Sequence, residues 1–99
     1  MLNISRKGDA QAVIMELEGR LDTTTAPQLE AELKAVMADA NSVCFDFEKL
    51  EYISSAGLRV LLSVHKQMNS KGGMEICHVN EAIMEVFDVT GFTDFLTIK

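Results

Sequence analysis

Tryptophan is absent, proline occurs once, and cysteine only twice. Basic residues are scarce as well, with 9 Lys plus Arg against 15 Asp plus Glu, for a net charge of −6. A surface of that sign repels the nucleic-acid backbone and an anionic membrane alike, so neither is expected as a partner. No uncharged apolar run approaches the roughly 18 to 20 residues of a membrane span, and no membrane insertion is expected. The opening MLNISRKGDA has no apolar core of signal-peptide length, so the expected location is cytoplasmic. Cys44 and Cys77 belong to no CxxC pattern and have no His pairs nearby. They read as buried free thiols, with a disulfide as the sharper alternative that a reducing cytosol disfavours.

What is there is an ordinary globular composition, 47% apolar over 99 residues. That length makes one domain, residues 1–99, able to bury about two-thirds of its unfolded surface. Two short strands, LNISR and QAVIMELEG, flank the KGDA turn and are expected to form an antiparallel hairpin at Gly8 and Asp9. Pro27 marks a helix start, and Leu29, Leu33, Val36 and Met37 share one face of a helix expected over about 26–39. NSVCFDF alternates as a half-buried strand. A second helix is expected from the serines at 54 and 55 to Lys71-Gly72-Gly73, followed by strand MEICHV. A third helix, capped by Asn80, stops at Thr90-Gly91 before a closing strand FLTI. The predicted order is β-β-α-β-α-β-α-β, an α/β fold with a mixed, mostly parallel sheet. Glu16, Glu18, Asp46 and Glu75 fall at alternating strand positions, so the helices are expected mainly on one face.

The stretch EYISSAGLRVLL, residues 51–62, carries the candidate chemistry. A serine before a helix ordinarily caps it, accepting a bond from a free N–H of the first turn. Gly57 stands in that first turn where a better helix former would serve, beside small Ala56. The pair reads as room for another molecule to approach the backbone. A helix N-terminus also tolerates a phosphate, and Arg59, one turn after Ser55, is spaced to pair with one. The ordinary reading of Arg59 is a solvated surface residue.

These residues resemble the STAS domains, and within them the bacterial anti-sigma factor antagonists. The resemblance spans nearly the whole chain: GRLDTTTAPQL before the first helix, CFDFEKLEYI, SSAGLRVLL, and the closing VFDVTGFTDFLTI. It implies a mixed sheet with helices packed largely to one side. It implies as well that the serine phosphorylated by an anti-sigma factor kinase is Ser55, with Ala56 in place of a second serine. Ser54 stands where the family usually carries Asp, and so brings no charge. Asp22 matches the family's acidic residue in the loop before the first helix, where it and Thr24 would face a partner. The resemblance makes Ser54, Asp22, Thr24, Ala56, Gly57 and Arg59 the expected partner surface. Asp46 matches another family position, where a structural role in holding the following loop is expected.

Three function classes follow. In the first, the unphosphorylated chain binds an anti-sigma factor serine kinase and frees a sigma factor; phosphorylation of Ser55 releases it and a phosphatase resets it. The second is a non-switching STAS subunit of a transporter-associated or sensory complex, which Ser54 in place of Asp favours. The third, a serine hydrolase, lacks the Gly-x-Ser-x-Gly elbow, since Ile53 precedes the serines. His65 and His78 read as core-edge residues and not as general bases. No GxxxxGK[ST] loop is present for a nucleotide. The chain is therefore expected to be no enzyme and to need no cofactor of its own.

Overall fold

The computed structural model describes residues 2–9 and 11–99. Met1 and Ala10, the last residue of the expected KGDA turn, lie outside the described residues. Strands β1 (Leu2–Gly8) and β2 (Ala12–Leu21) precede helix α1 (Ala26–Met37) and strand β3 (Ser42–Ile53). Helix α2 (Ser55–Met68), strand β4 (Met74–Cys77), helix α3 (Glu81–Thr90) and strand β5 (Thr97–Ile98) complete the order expected from the sequence. A 3-10 turn at Phe92–Asp94 was not foreseen, and the closing strand is two residues long where four were expected.

The strands lie in the sheet in the order in which they occur in the chain, with β1 antiparallel to β2 and the remaining neighbours parallel. Right-handed crossovers that always step in the same direction put every helix on the same face. The burial follows: Val13, Met15, Leu17 and Leu21 of β2, and Val43, Phe45 and Phe47 of β3, are buried under the helices. The alternate residues Ile14, Glu16, Glu18, Cys44 and Asp46 face the opposite, largely uncovered side. The helices close the core with Leu29 and Leu33 of α1, Leu61 and Val64 of α2, and Ile83 and Phe87 of α3.

β3 is longer than the alternation of NSVCFDF indicates and runs on to Ile53. Its pairing with β2 shifts twice, between Glu16 and Glu18 and between Gly19 and Arg20. Each shift inserts one extra residue into β3, a β-bulge. The bulges return Leu50 and Ile53 to the core while Glu48, Lys49, Glu51 and Tyr52 stay exposed. They also break the period-2 signal that marks a strand in a sequence, so EKLEYI reads there as a loop.

Asp46 holds the first bulge: its Oδ1 accepts the Glu48 backbone N–H at 3.0 Å and lies 3.1 Å from Nδ1 of His78. The expected structural role is therefore played on its own strand and not on the loop to Ser54. His78, expected at the core edge, is instead 62% exposed, with a left-handed φ of 58°. His65 is half-buried, its ring 5.0 Å from that of Phe95.

Asn80 caps α3 as expected, its Oδ1 accepting the Ile83 N–H at 2.9 Å. Its amide also donates to the Leu50 carbonyl at 2.8 Å, tying the helix start to the second half of β3. Asn80→Ala is expected to cost about 1–3 kcal/mol, since the cap is lost and the half-buried Leu50 carbonyl is left without its donor. Urea unfolding of the variant checks this; an unchanged midpoint would show that the cross-connection contributes nothing.

Candidate functional site

β2 and β3 end side by side, with Leu21 paired to Ile53. Immediately beyond, the Ser54 N–H donates to the Leu21 carbonyl at 2.9 Å. The connection from β2 to α1 and the start of α2 are thereby fixed next to each other at the carboxyl ends of parallel strands. That edge is where open α/β sheets ordinarily present their binding sites.

Ser54 is the N-cap of α2, in extended conformation, with its Oγ accepting the Gly57 N–H at 3.4 Å. The two serines thus divide the work. Ser54 is half-buried and engaged by the helix, whereas Ser55 is exposed in the first turn. Arg59 is exposed one turn further on and makes no ion pair among the described residues. Ala56 is half-buried against the core.

Gly57 requires a correction. It is buried and open to no partner. A Cβ built on it would lie 2.7 Å from Leu21 Cγ and 2.9 Å from Ile53 Cγ1, both core side chains. The close approach that demands a glycine is made by the strand ends beneath α2, so Gly57 positions Ser55 and does not touch a partner.

Asp22 is likewise a builder of its own loop. Its Oδ1 accepts the N–H and the hydroxyl of Thr24 at 3.0 and 2.7 Å, and the N–H of Thr25 at 3.2 Å. Thr25 returns the bond, its Oγ1 accepting the Asp22 N–H at 2.8 Å, and donates to the Arg20 carbonyl at 2.8 Å. Thr24 is exposed and Thr25 buried. The Thr24 hydroxyl, ahead of the backbone donors, holds the Asp22 carboxyl below its ordinary value of 3.8.

The sign of the pH dependence follows. An unfolded chain protonates this carboxylate near 3.8, while the folded one resists. The stability that the carboxylate contributes is therefore complete above that value and is lost as the pH falls through the lower folded one. Asp22→Asn is expected to flatten the fall in melting temperature on acidification below about pH 4. Melting curves of both proteins across that range measure it, and parallel curves would contradict it.

A feature of the site missed in the sequence is the pair Arg20 and Tyr52. The Arg20 guanidinium lies 4.3 Å from the centroid of the Tyr52 ring, and its Nε is 3.8 Å from Asp22 Oδ2. Tyr52, 41% exposed, makes the pair a cation–π platform beside the two loops. Nothing in the spacing of two residues so far apart announces it. It depends on the register across both bulges, which places Arg20 opposite Tyr52.

Away from this edge, Asp46, Glu48 and His78 bring ligand atoms within 4.8 Å of one another. Asp46 Oδ1 is already occupied by the Glu48 N–H and by His78. No helix among the described residues is long and apolar enough to cross a membrane.

The STAS domain family matches residues 3–99. BtrV of Bordetella bronchiseptica, provisionally named an anti-sigma factor antagonist, is 40% identical over 84 residues, covering 83% of this chain and 72% of its own. Among solved structures, an anti-sigma factor antagonist from Mycobacterium paratuberculosis superposes with a TM-score of 0.90 at 21% identity, covering 99% of this chain and 85% of that one. The Bacillus cell fate determinant SpoIIAA, solved in its phosphorylated form, superposes with a TM-score of 0.75 at 17% identity, covering 98% and 91%.

Proposed function

This chain belongs to the STAS domain family, and from that premise we propose that it is an anti-sigma factor antagonist switched by phosphorylation of Ser55. Unphosphorylated, it binds an anti-sigma factor that is also a serine kinase, and a sigma factor is freed. The observation that carries this reading is the division between the two serines: one is spent on the helix cap, and the next stands exposed in the first turn. The names of the relatives, and a structural neighbour solved in phosphorylated form, support it further.

The chemistry belongs to the partner. The kinase brings ATP, Mg²⁺ and the base, and this chain supplies the Ser55 hydroxyl. The Ser55 oxygen bonds to the γ-phosphorus as the bond to ADP breaks, and the hydroxyl proton passes to the kinase's base. The resulting phosphate sits against the free N–H groups and positive end of α2, which accommodate it without unfolding. Arg59 offers a cation from the next turn. Asp22 with Thr24, and the platform of Arg20 and Tyr52, form the neighbouring surface on which the partner rests. A phosphatase that removes the phosphate resets the switch, and the cell compartment is the cytoplasm, where sigma factors work.

Incubation with the anti-sigma kinase of the same organism and Mg-ATP is expected to add one phosphate, mapped by mass spectrometry to Ser55. Phosphate on Ser54 or on Thr23 to Thr25 would overturn the assignment. No phosphate at all would favour a non-switching STAS subunit of a larger complex, the reading to which the neutral Ser54 otherwise points.

A further inference from the structure

On the uncovered face of the sheet, the sulfurs of Cys44 in β3 and Cys77 in β4 lie 3.0 Å apart. Both are free and half-buried. We propose that they form a redox-active dithiol, closed into an intramolecular disulfide by peroxide-class oxidants and reopened by thiol reductants. The inference does not depend on the Ser55 reading, because Cys44 is near the start of β3 and Ser55 follows its far end.

Register sets the character of the bond. Cys44 is paired with Glu75 and Cys77 with Asp46, so the two cysteines are diagonal and not direct neighbours. A bridge between diagonal positions must reach further than one between directly opposite residues, and a bridge held off its preferred geometry is more readily reduced. The side chains nevertheless lean together until the sulfurs touch. A bridge at such a position is of the labile, readily reduced kind and not a permanent staple. No helix among the described residues covers this face, so a small oxidant has access to the half-buried thiols.

The surroundings set how readily the pair reacts. Burial, then the neighbouring Cys77 thiol, then the Glu75 and Asp46 carboxylates push the Cys44 thiol up to about 12. Lys99 is paired with Glu75 at 3.1 Å and so offsets part of that negative charge. Cys44 is therefore slow to ionise, and closure needs an added oxidant. One of the two sulfurs attacks the peroxide: a sulfur–oxygen bond forms, the O–O bond breaks, the sulfur loses two electrons to the oxidant, and water leaves. The other sulfur then attacks that sulfenic sulfur, the S–S bond forms as the S–O bond breaks, and a second water carries off the hydroxyl and the thiol proton.

The test uses the reduced, folded chain treated with hydrogen peroxide and then alkylated. Both thiols are expected to disappear together, two per peroxide consumed, with the loss of two hydrogens in the intact mass and a cross-link between the Cys44 and Cys77 peptides. Dithiothreitol restores both. Cys44→Ser and Cys77→Ser are expected to give no intramolecular cross-link, and in each the remaining thiol is expected to stop at a sulfenic acid that dimedone traps. The wild-type result decides alone should either variant fold poorly. Thiols that remain alkylatable while the urea-unfolded chain oxidises, or that end in covalent dimers, would overturn the proposal.

Discussion

Ser55→Asp is expected to bind the anti-sigma kinase at least about tenfold more weakly than the wild type, a loss of about 1.4 kcal/mol or more. Its melting temperature should stay within a few degrees. Ser55→Ala, which loses only an exposed hydroxyl, should bind as the wild type does and should no longer be released on addition of Mg-ATP. The reason lies in what each group requires when covered. A neutral serine hydroxyl is readily desolvated at an interface, whereas a phosphate carries about −1.5 to −2 charge and adds bulk. In the free protein that charge remains in water against the N-terminus of α2, so the fold is not strained. Under a partner it must shed water on a surface that already holds the Asp22 carboxylate and belongs to a chain of net charge −6. Calorimetric titration of both variants distinguishes the outcomes. Binding by Ser55→Asp as tight as the wild type's would mean that charge at this position is no off-signal.

The second large effect is expected at Gly57. A side chain there meets Leu21 and Ile53 at 2.7 and 2.9 Å, and both neighbours are held in the core by the paired ends of β2 and β3. Overpacking of this kind costs about 1–3 kcal/mol, against about 1 kcal/mol that alanine gains over glycine as a helix former. Gly57→Ala should therefore be destabilised by up to about 2 kcal/mol, at most roughly 8–16 °C in a domain of this size. Gly57→Glu must bury a carboxylate without a partner as well as displace the core. With a typical total stability of only about 5–15 kcal/mol, it is expected to lose much of its folded population. Circular dichroism during thermal unfolding checks both variants. A Gly57→Glu protein that melts with the wild type would show that the position is open after all, as the sequence alone leads one to expect.

Gly57 marks the limit of what could be read in advance. That α2 starts at the serines, that Asn80 caps α3, and that the helices share a face were legible, because each depends on local chemistry or on the alternation of apolar residues. The family resemblance also brought Asp22 and Ser55 to the same end of the sheet. The interior of the site was not legible. A glycine in a first turn looks the same whether the space around it is solvent or Leu21. The rest was hidden by register. The bulges of β3 interrupt the alternation that would have extended the strand to Ile53, and they bring Arg20 over Tyr52 across a separation no motif records. Cys44 and Cys77 had the same difficulty: each could be assigned to a strand, but which strands adjoin, and by what offset, is a property of the finished sheet.

The central claim is that an exposed Ser55 gates the binding of an anti-sigma kinase, and it is tested most directly on the natural protein. The purified chain is titrated by calorimetry against that kinase before and after stoichiometric phosphorylation, with the second titration run without ATP. Saturable binding before phosphorylation and affinity at least about tenfold lower afterwards, with the same circular dichroism spectrum, is the expected result. Equal affinity of the two forms, or no binding by the unphosphorylated chain, would contradict it.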